Sequence, residues 1–142
     1  MHQAGCFVAR LDLVRDIGGY LPGLSAAHQS ELWIRLCAEI EARGMKVVAD
    51  EEIGTAISRV PPQRRRLANP LTQYEGGRWL LARHRTHLRR DRRRWANTQG
   101  VIAVNAARLG KYPEARVRSI RAAKADPRSP KRWLRVLATA FP

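Results

Sequence analysis

The stretch Glu31-Leu32-Trp33-Ile34-Arg35-Leu36-Cys37-Ala38-Glu39-Ile40-Glu41-Ala42-Arg43-Gly44-Met45-Lys46-Val47-Val48-Ala49 decides how this chain is read. Leu32, Ile34, Leu36 and Ile40 give a mostly apolar face at helical spacing, which predicts a helix from about Glu31 to Arg43. Gly44 stops it, and Met45 to Ala49 reads as a strand, with a weaker one over Ile53 to Ile57. Upstream, Gly5-Cys6-Phe7-Val8-Ala9 reads as a short buried strand. Asp12 is the expected N-cap of a short helix through Leu13, Val14 and Ile17. Gly18-Gly19 ends that helix, and Tyr20 to Leu24 forms a turn. The order in this part of the chain is therefore strand–helix–helix–strands.

Downstream the style changes. Pro61-Pro62, Arg64-Arg65-Arg66 and Asn69-Pro70 mark a break, which divides the chain into residues 1–62 and 63–142. Beyond the break everything reads as helix: Gln73 to Trp95, Thr98 to Leu109, Pro113 to Ala125 and Pro130 to Ala140. Tyr74, Trp79, Leu80, Leu81, Leu88, Trp95 and Trp133 are the expected core, with Leu134 and Leu137 on the last helix. Gly76-Gly77 weakens the start of the first of these helices.

The 142 residues suffice for one modest domain with a core of its own. Two cysteines, Cys6 and Cys37, are too few for a disulfide framework or a cysteine zinc site, and read as small buried hydrophobes. No apolar run approaches the roughly 18 residues of a membrane span, and the first residues do not read as a signal peptide. A cytoplasmic protein, peripheral to a membrane at most, is the expectation. Net charge is +15, and it is unevenly placed. Up to Ser58 acidic residues outnumber basic ones by eight to five, whereas from Arg59 on there are 22 basic residues and only Glu75, Asp91, Glu114 and Asp126. Such asymmetry suggests two segments with different jobs, or a basic face for an anionic partner. Of the 27 basic residues 23 are arginine, the side chain suited to planar recognition of phosphate and carboxylate.

Phe7-Val8-Ala9-Arg10, Leu13-Val14-Arg15-Asp16-Ile17-Gly18-Gly19-Tyr20 and Glu31-Leu32-Trp33-Ile34-Arg35-Leu36, in that order, resemble the C-terminal half of family 2 glycosyltransferases. Val47-Val48 and Arg59 of Ser58-Arg59-Val60 extend the resemblance over residues 5 to 62. It implies an incomplete GT-A-like sheet layer, hence an α/β (α+β) fragment, followed by an all-helical extension. It also implies glycosyl transfer from a nucleotide sugar, with Glu31, Arg35 and Arg59 shaping the acceptor side. Two departures stand against activity. The family's acidic pair, whose aspartate is the general base, is here His28-Gln29, and an amide has no useful basicity. The family's donor half, with the Asp-x-Asp motif that holds a divalent metal, has no counterpart in this chain. The resemblance therefore implies a partial or degenerate enzyme without a cofactor of its own, whose partner would be the missing half or another transferase. Asp50-Glu51-Glu52 reads as a solvated turn. Glu31 and Arg35, four apart on a helix, also read more plainly as a surface ion pair.

Gly110-Lys111-Tyr112-Pro113-Glu114-Ala115, with Ile120, Ala122 and Asp126-Pro127, resembles one tetratricopeptide repeat over about 98–127. Ala103 and Ala106 fit the small positions where its helices would touch. A single repeat cannot bury its own face, so a helical hairpin packed on neighbours is expected. Arg83, Arg89, Arg90 and Arg93 are the leading anion-binding candidates within a dense run that also holds Arg78, Arg85, Arg92 and Arg94. On one continuous helix these would spread around the axis rather than form a stripe. No named nucleic-acid motif accompanies them. The alternative to a transferase is thus a non-catalytic basic helical binding module for an acidic protein, nucleic acid or an anionic membrane surface. His84 and His87 lack a third ligand, and no metal is expected there.

Overall fold

The computed structural model describes residues 8–24, 26–48 and 69–140, and among these residues every regular element is a helix. The elements are α1 (Leu11–Asp16), α2 (His28–Ala42), α3 (Pro70–Arg83), α4 (Arg85–Arg90), α5 (Arg92–Arg108), α6 (Tyr112–Ala125) and α7 (Pro130–Ala140). The α/β expectation, with its incomplete GT-A-like sheet layer, is therefore corrected: the described residues contain no strand and no sheet. Residues 45–48, expected to begin a strand, have no partner strand among the described residues, and Val47 and Val48 stand 56% and 87% exposed. Two adjacent β-branched residues favour an extended backbone, but an extended segment without a ladder gives β-propensity nothing to act on. The strand expected over 53–57, and most of the one over 5–9, lie outside the described residues, as do the 62/63 boundary, Asp50-Glu51-Glu52 and Cys6.

The helix stops were legible. Gly44 follows α2 at φ +64°, with Met45 N–H donating to Ile40 O (2.9 Å) and Gly44 N–H to Glu41 O (3.1 Å). That is a Schellman ending, which a residue with a Cβ adopts only under strain. Gly110 closes α5 in the same way, Lys111 N–H reaching Ala106 O at 2.9 Å.

The helix expected over 73–95 is broken twice. His84 (φ −115°, ψ 27°) and Asp91 (φ −110°, ψ 104°) leave helical geometry, and the piece expected from Thr98 begins instead at Arg92. Asp91 accounts for the second break. Its carboxylate accepts from Arg93 N–H (2.9 Å) and Arg94 N–H (3.1 Å), an N-cap worth about 1 kcal/mol that starts a new helix.

Two apolar clusters hold the helices. The larger joins Ile34 of α2 to Tyr74, Leu80 and Leu81 of α3, Leu88 of α4, Ile102 and Ala106 of α5 and Ala115 of α6. The smaller packs Leu13 against Leu32 and Leu36, with Met45 alongside. Gly76 and Gly77 sit in mid-helix for want of room: a Cβ on Gly76 would lie 2.9 Å from Ala26 O, and one on Gly77 2.9 Å from the Ile102 side chain. What costs helix propensity here permits close approach.

The α5–α6 hairpin matches the expected pairing of small residues, with Ala103, Ala106, Ala115, Ala122 and Ala123 all buried. Tyr74 ties the hairpin to α3. Its hydroxyl donates to Glu114 (2.5 Å) and accepts from Arg78 (3.0 Å), while Arg118 bridges Glu114 (3.1 Å) and Gln99 (3.2 Å). Helix α7 reverses the expected pattern. Arg132 is buried, donating to Asp126 (2.9 Å) and Asn97 (3.0 Å), whereas Trp133, expected in the core, is 45% exposed, beside Leu134 and Leu137.

Candidate functional site

Helix α2 begins at Ala27, which takes the left-handed conformation (φ +63°) without a side-chain cap. For a residue with a Cβ this costs about 1 kcal/mol or more. Ala26, buried against Gly76, holds the turn in place. The turn delivers His28 and Gln29 to the wall of a cavity of about 410 Å³. Ile34, Leu80, Leu88 and Val101 supply apolar wall, and Gln73, Asn97, Thr98 and Arg94 add polar groups from α3 and α5. His28 also packs edge-on against Tyr20, ring centroids 5.8 Å apart. The cavity's uncharged amides and hydroxyls can hydrogen-bond a ligand. None of them is a carboxylate able to serve as a base, and Gln29 remains without basicity where the resemblance puts the catalytic group.

Glu31 and Arg35 do not line this cavity. They form an internal clamp. Glu31 is fully buried, and Arg35 grips it with both arms, Nε to Oε1 at 2.7 Å and Nη2 to Oε2 at 2.6 Å. The same guanidinium donates to the carbonyls of Ile17 (2.5 Å) and Gly19 (2.6 Å), satisfying groups left over at the end of α1. The pair is thus no surface ion pair of the kind worth a few tenths of a kcal/mol. From the α3–α4 break, His84 Nε2 reaches Glu31 Oε1 at 3.2 Å. Burial pushes Glu31 towards its neutral form, but Arg35 and His84 together outweigh it and hold the carboxyl below its ordinary range. Burial drives His84 the other way, below the ordinary imidazole value, and Arg83 and His87 add to this against the pull of Glu31. At neutral pH His84 is therefore an uncharged donor to Glu31, and the contact is a hydrogen bond rather than an ion pair.

The arginine candidates gather at the α3–α4–α5 corner. Arg83, Arg85, Arg89, Arg90, Arg92, Arg93 and Arg94 are all exposed, and Asp91 is the only carboxylate within the run. Asp91 pairs with Arg94 at 3.2 Å. Arg83 lies over Trp79 (5.6 Å to the centroid) and Arg89 over Trp95 (5.0 Å), so these half-buried indoles serve as platforms. Among the described residues no carboxylate pairs with Arg85, Arg90, Arg92 or Arg93. Three of the arginines occupy the first turn of α5, where the helix dipole is already positive, each at a cost of about 0.3–1 kcal/mol. The breaks at His84 and Asp91 divide these side chains among three helices in place of one.

Arg59 lies outside the described residues. His87 is half-buried, and among the described residues no three His, Cys, Asp or Glu side chains gather as a metal site requires. Cys37 is half-buried, and burial pushes its thiol up, away from the reactive thiolate. The His84–Glu31 contact and the buried Arg132 were missed in the sequence. Asp91 ahead of Arg92-Arg93-Arg94 was a readable cap signal for the break.

Compared with known proteins, the chain matches no family model, no curated protein and no solved structure.

Proposed function

We propose that this chain is a non-catalytic helical binding module whose arginine corner engages a phosphate-bearing anionic partner. One observation carries the reading: seven exposed arginines lie between positions 83 and 94, and among the described residues the one carboxylate paired with any of them is Asp91, with Arg94. Charge matched within a fold serves the fold. Charge gathered without counter-charge, and placed against a helix dipole, raises the energy of the free protein and is relieved by an anion. Arginine's planar fork suits phosphate oxygens, and indoles beneath Arg83 and Arg89 hold two of the guanidinium groups in place. The test is binding to inorganic polyphosphate across a range of salt concentrations. Affinity is expected to fall linearly in log–log form with salt, as counterion release requires. Absence of binding at low salt, or affinity indifferent to salt, would overturn the reading.

The cavity favours a second reading, a degenerate family 2 glycosyltransferase that retains an acceptor-side pocket. His28 and Gln29 border that cavity beside amide and hydroxyl groups suited to a sugar. Saturable binding of a free mono- or disaccharide, weakened by Gln29→Ala, would support it. No sugar transfer is expected from this chain.

A further inference from the structure

Helix α7 is turned inside out. Its inward face carries Arg132 and Thr139, both buried, and its outward face carries Trp133, Leu134 and Leu137, exposed by 45%, 64% and 59%. At 100° per residue these three apolar side chains fall within one outward arc, opposite Arg132 and Thr139. Arg132 is held by Asp126 and Asn97, and the Trp133 indole N–H donates to Pro127 O at 3.0 Å. The orientation is therefore fixed by internal bonds, and the indole needs no polar partner outside.

The sequence of α7 and the turn before it is basic. From Pro127 to Ala140 there is no acidic residue, while Arg128, Lys131 and Arg135 stand beside it. Helix α7 crosses α5 at Asn97, through Arg132, and at Gly100, where Arg135 comes close. Arg93 lies one turn before Asn97 and two before Gly100, on the same face of α5, so the arginine corner begins at the edge of this seam.

We propose that α7, aided by the positive charge of the arginine corner, forms a docking surface for an anionic lipid bilayer, with Trp133, Leu134 and Leu137 entering the interfacial layer. This deepens the anion-binding reading above and rests on it. Shape and charge select the occupant. The apolar side chains stand out from a convex helix, which suits a deformable surface; recognition of a partner helix calls for a groove. A second copy would bring another +15 of charge against the same face. An amphipathic helix with tryptophan and leucine outward and basic residues alongside is built for the interface, and apolar insertion with a polybasic patch gives the two signals that stable attachment needs.

The test is co-sedimentation of the full chain with vesicles of phosphatidylcholine alone and with phosphatidylglycerol added, beside polyphosphate binding on the same samples. Binding to the anionic vesicles and not the neutral ones is expected. The triple variant Trp133→Gln, Leu134→Gln, Leu137→Gln changes exposed positions, and its helix content is checked by circular dichroism. It is expected to lose about a hundredfold or more in vesicle affinity while keeping polyphosphate binding. Equal vesicle binding by the variant, or polyphosphate binding without vesicle binding, would overturn the bilayer proposal and leave the anion-binding reading standing. Loss of both by the wild-type chain would sink the two together. Self-association of the wild-type chain that the triple variant abolishes would assign the face to a second copy and overturn the proposal as well.

Discussion

Arg35 and the arginines of the α3–α4–α5 corner are the same residue put to opposite uses. Arg35 has every arm engaged, by both oxygens of buried Glu31 and by two carbonyls at the end of α1. Arg90, Arg92 and Arg93 are exposed and face no carboxylate among the described residues. Arg118 and Arg132 belong with Arg35, each tying two helices through an acid and an amide. Arginine content alone cannot separate these classes; the supply of matched acceptors does. Glu31, Glu114 and Asp126 are matched to Arg35, Arg118 and Arg132 inside or at the edge of the packing, while the corner has Asp91 alone, paired with Arg94.

The sharpest way to break the comparison is Arg35→Ala. It strands a buried carboxylate and two carbonyls, so a loss of about 3–5 kcal/mol in stability by urea unfolding is expected. A loss under about 1 kcal/mol would place the clamp among ordinary surface pairs. Gly76→Ala comes next. It drives a Cβ against the Ala26 backbone, and a cost of about 1–3 kcal/mol is expected, with α2 loosened from α3.

The clamp should also be sensitive to acid. Folded His84 holds a proton less readily than unfolded histidine, so below about pH 6.5 the unfolded chain takes up the extra proton and stability falls. Glu31, held below its ordinary range, adds a second loss as pH drops through its folded value. His84→Gln keeps a donor for Glu31 and removes the titration. Its melting temperature should not show the first decline, between about pH 6.5 and 5. An unchanged profile in that variant would show that the sensitivity arises elsewhere.

Legibility followed the range of the interaction. Gly44 and Gly110 were readable as helix stops because a left-handed residue is a local requirement, and Ala103 and Ala106 because small residues at helical spacing imply a close neighbour. Val47-Val48 misled, since a β-branched pair reports propensity and a sheet needs partners. Trp133 misled because its size suggested core, whereas the inward side of α7 is set by what Arg132 can reach, Asp126 and Asn97, the latter 35 residues earlier. The Glu31–His84 contact spans 53 residues and leaves no local trace. The arginine cluster itself was plain in the sequence. Its division among three helices depended partly on Asp91, a cap signal standing inside a run that read as one helix.

The most direct test of the central claim sets stability against binding in one variant, Arg89→Gln, Arg90→Gln, Arg92→Gln, Arg93→Gln. If the corner serves a partner, unfolding stability stays within about 0.5 kcal/mol of the wild type or rises. Polyphosphate affinity collapses at low salt, and the salt slope shrinks by roughly 3. A variant that loses several kcal/mol of stability, or binds polyphosphate as the wild type does, would show that these arginines serve the fold and contradict the account.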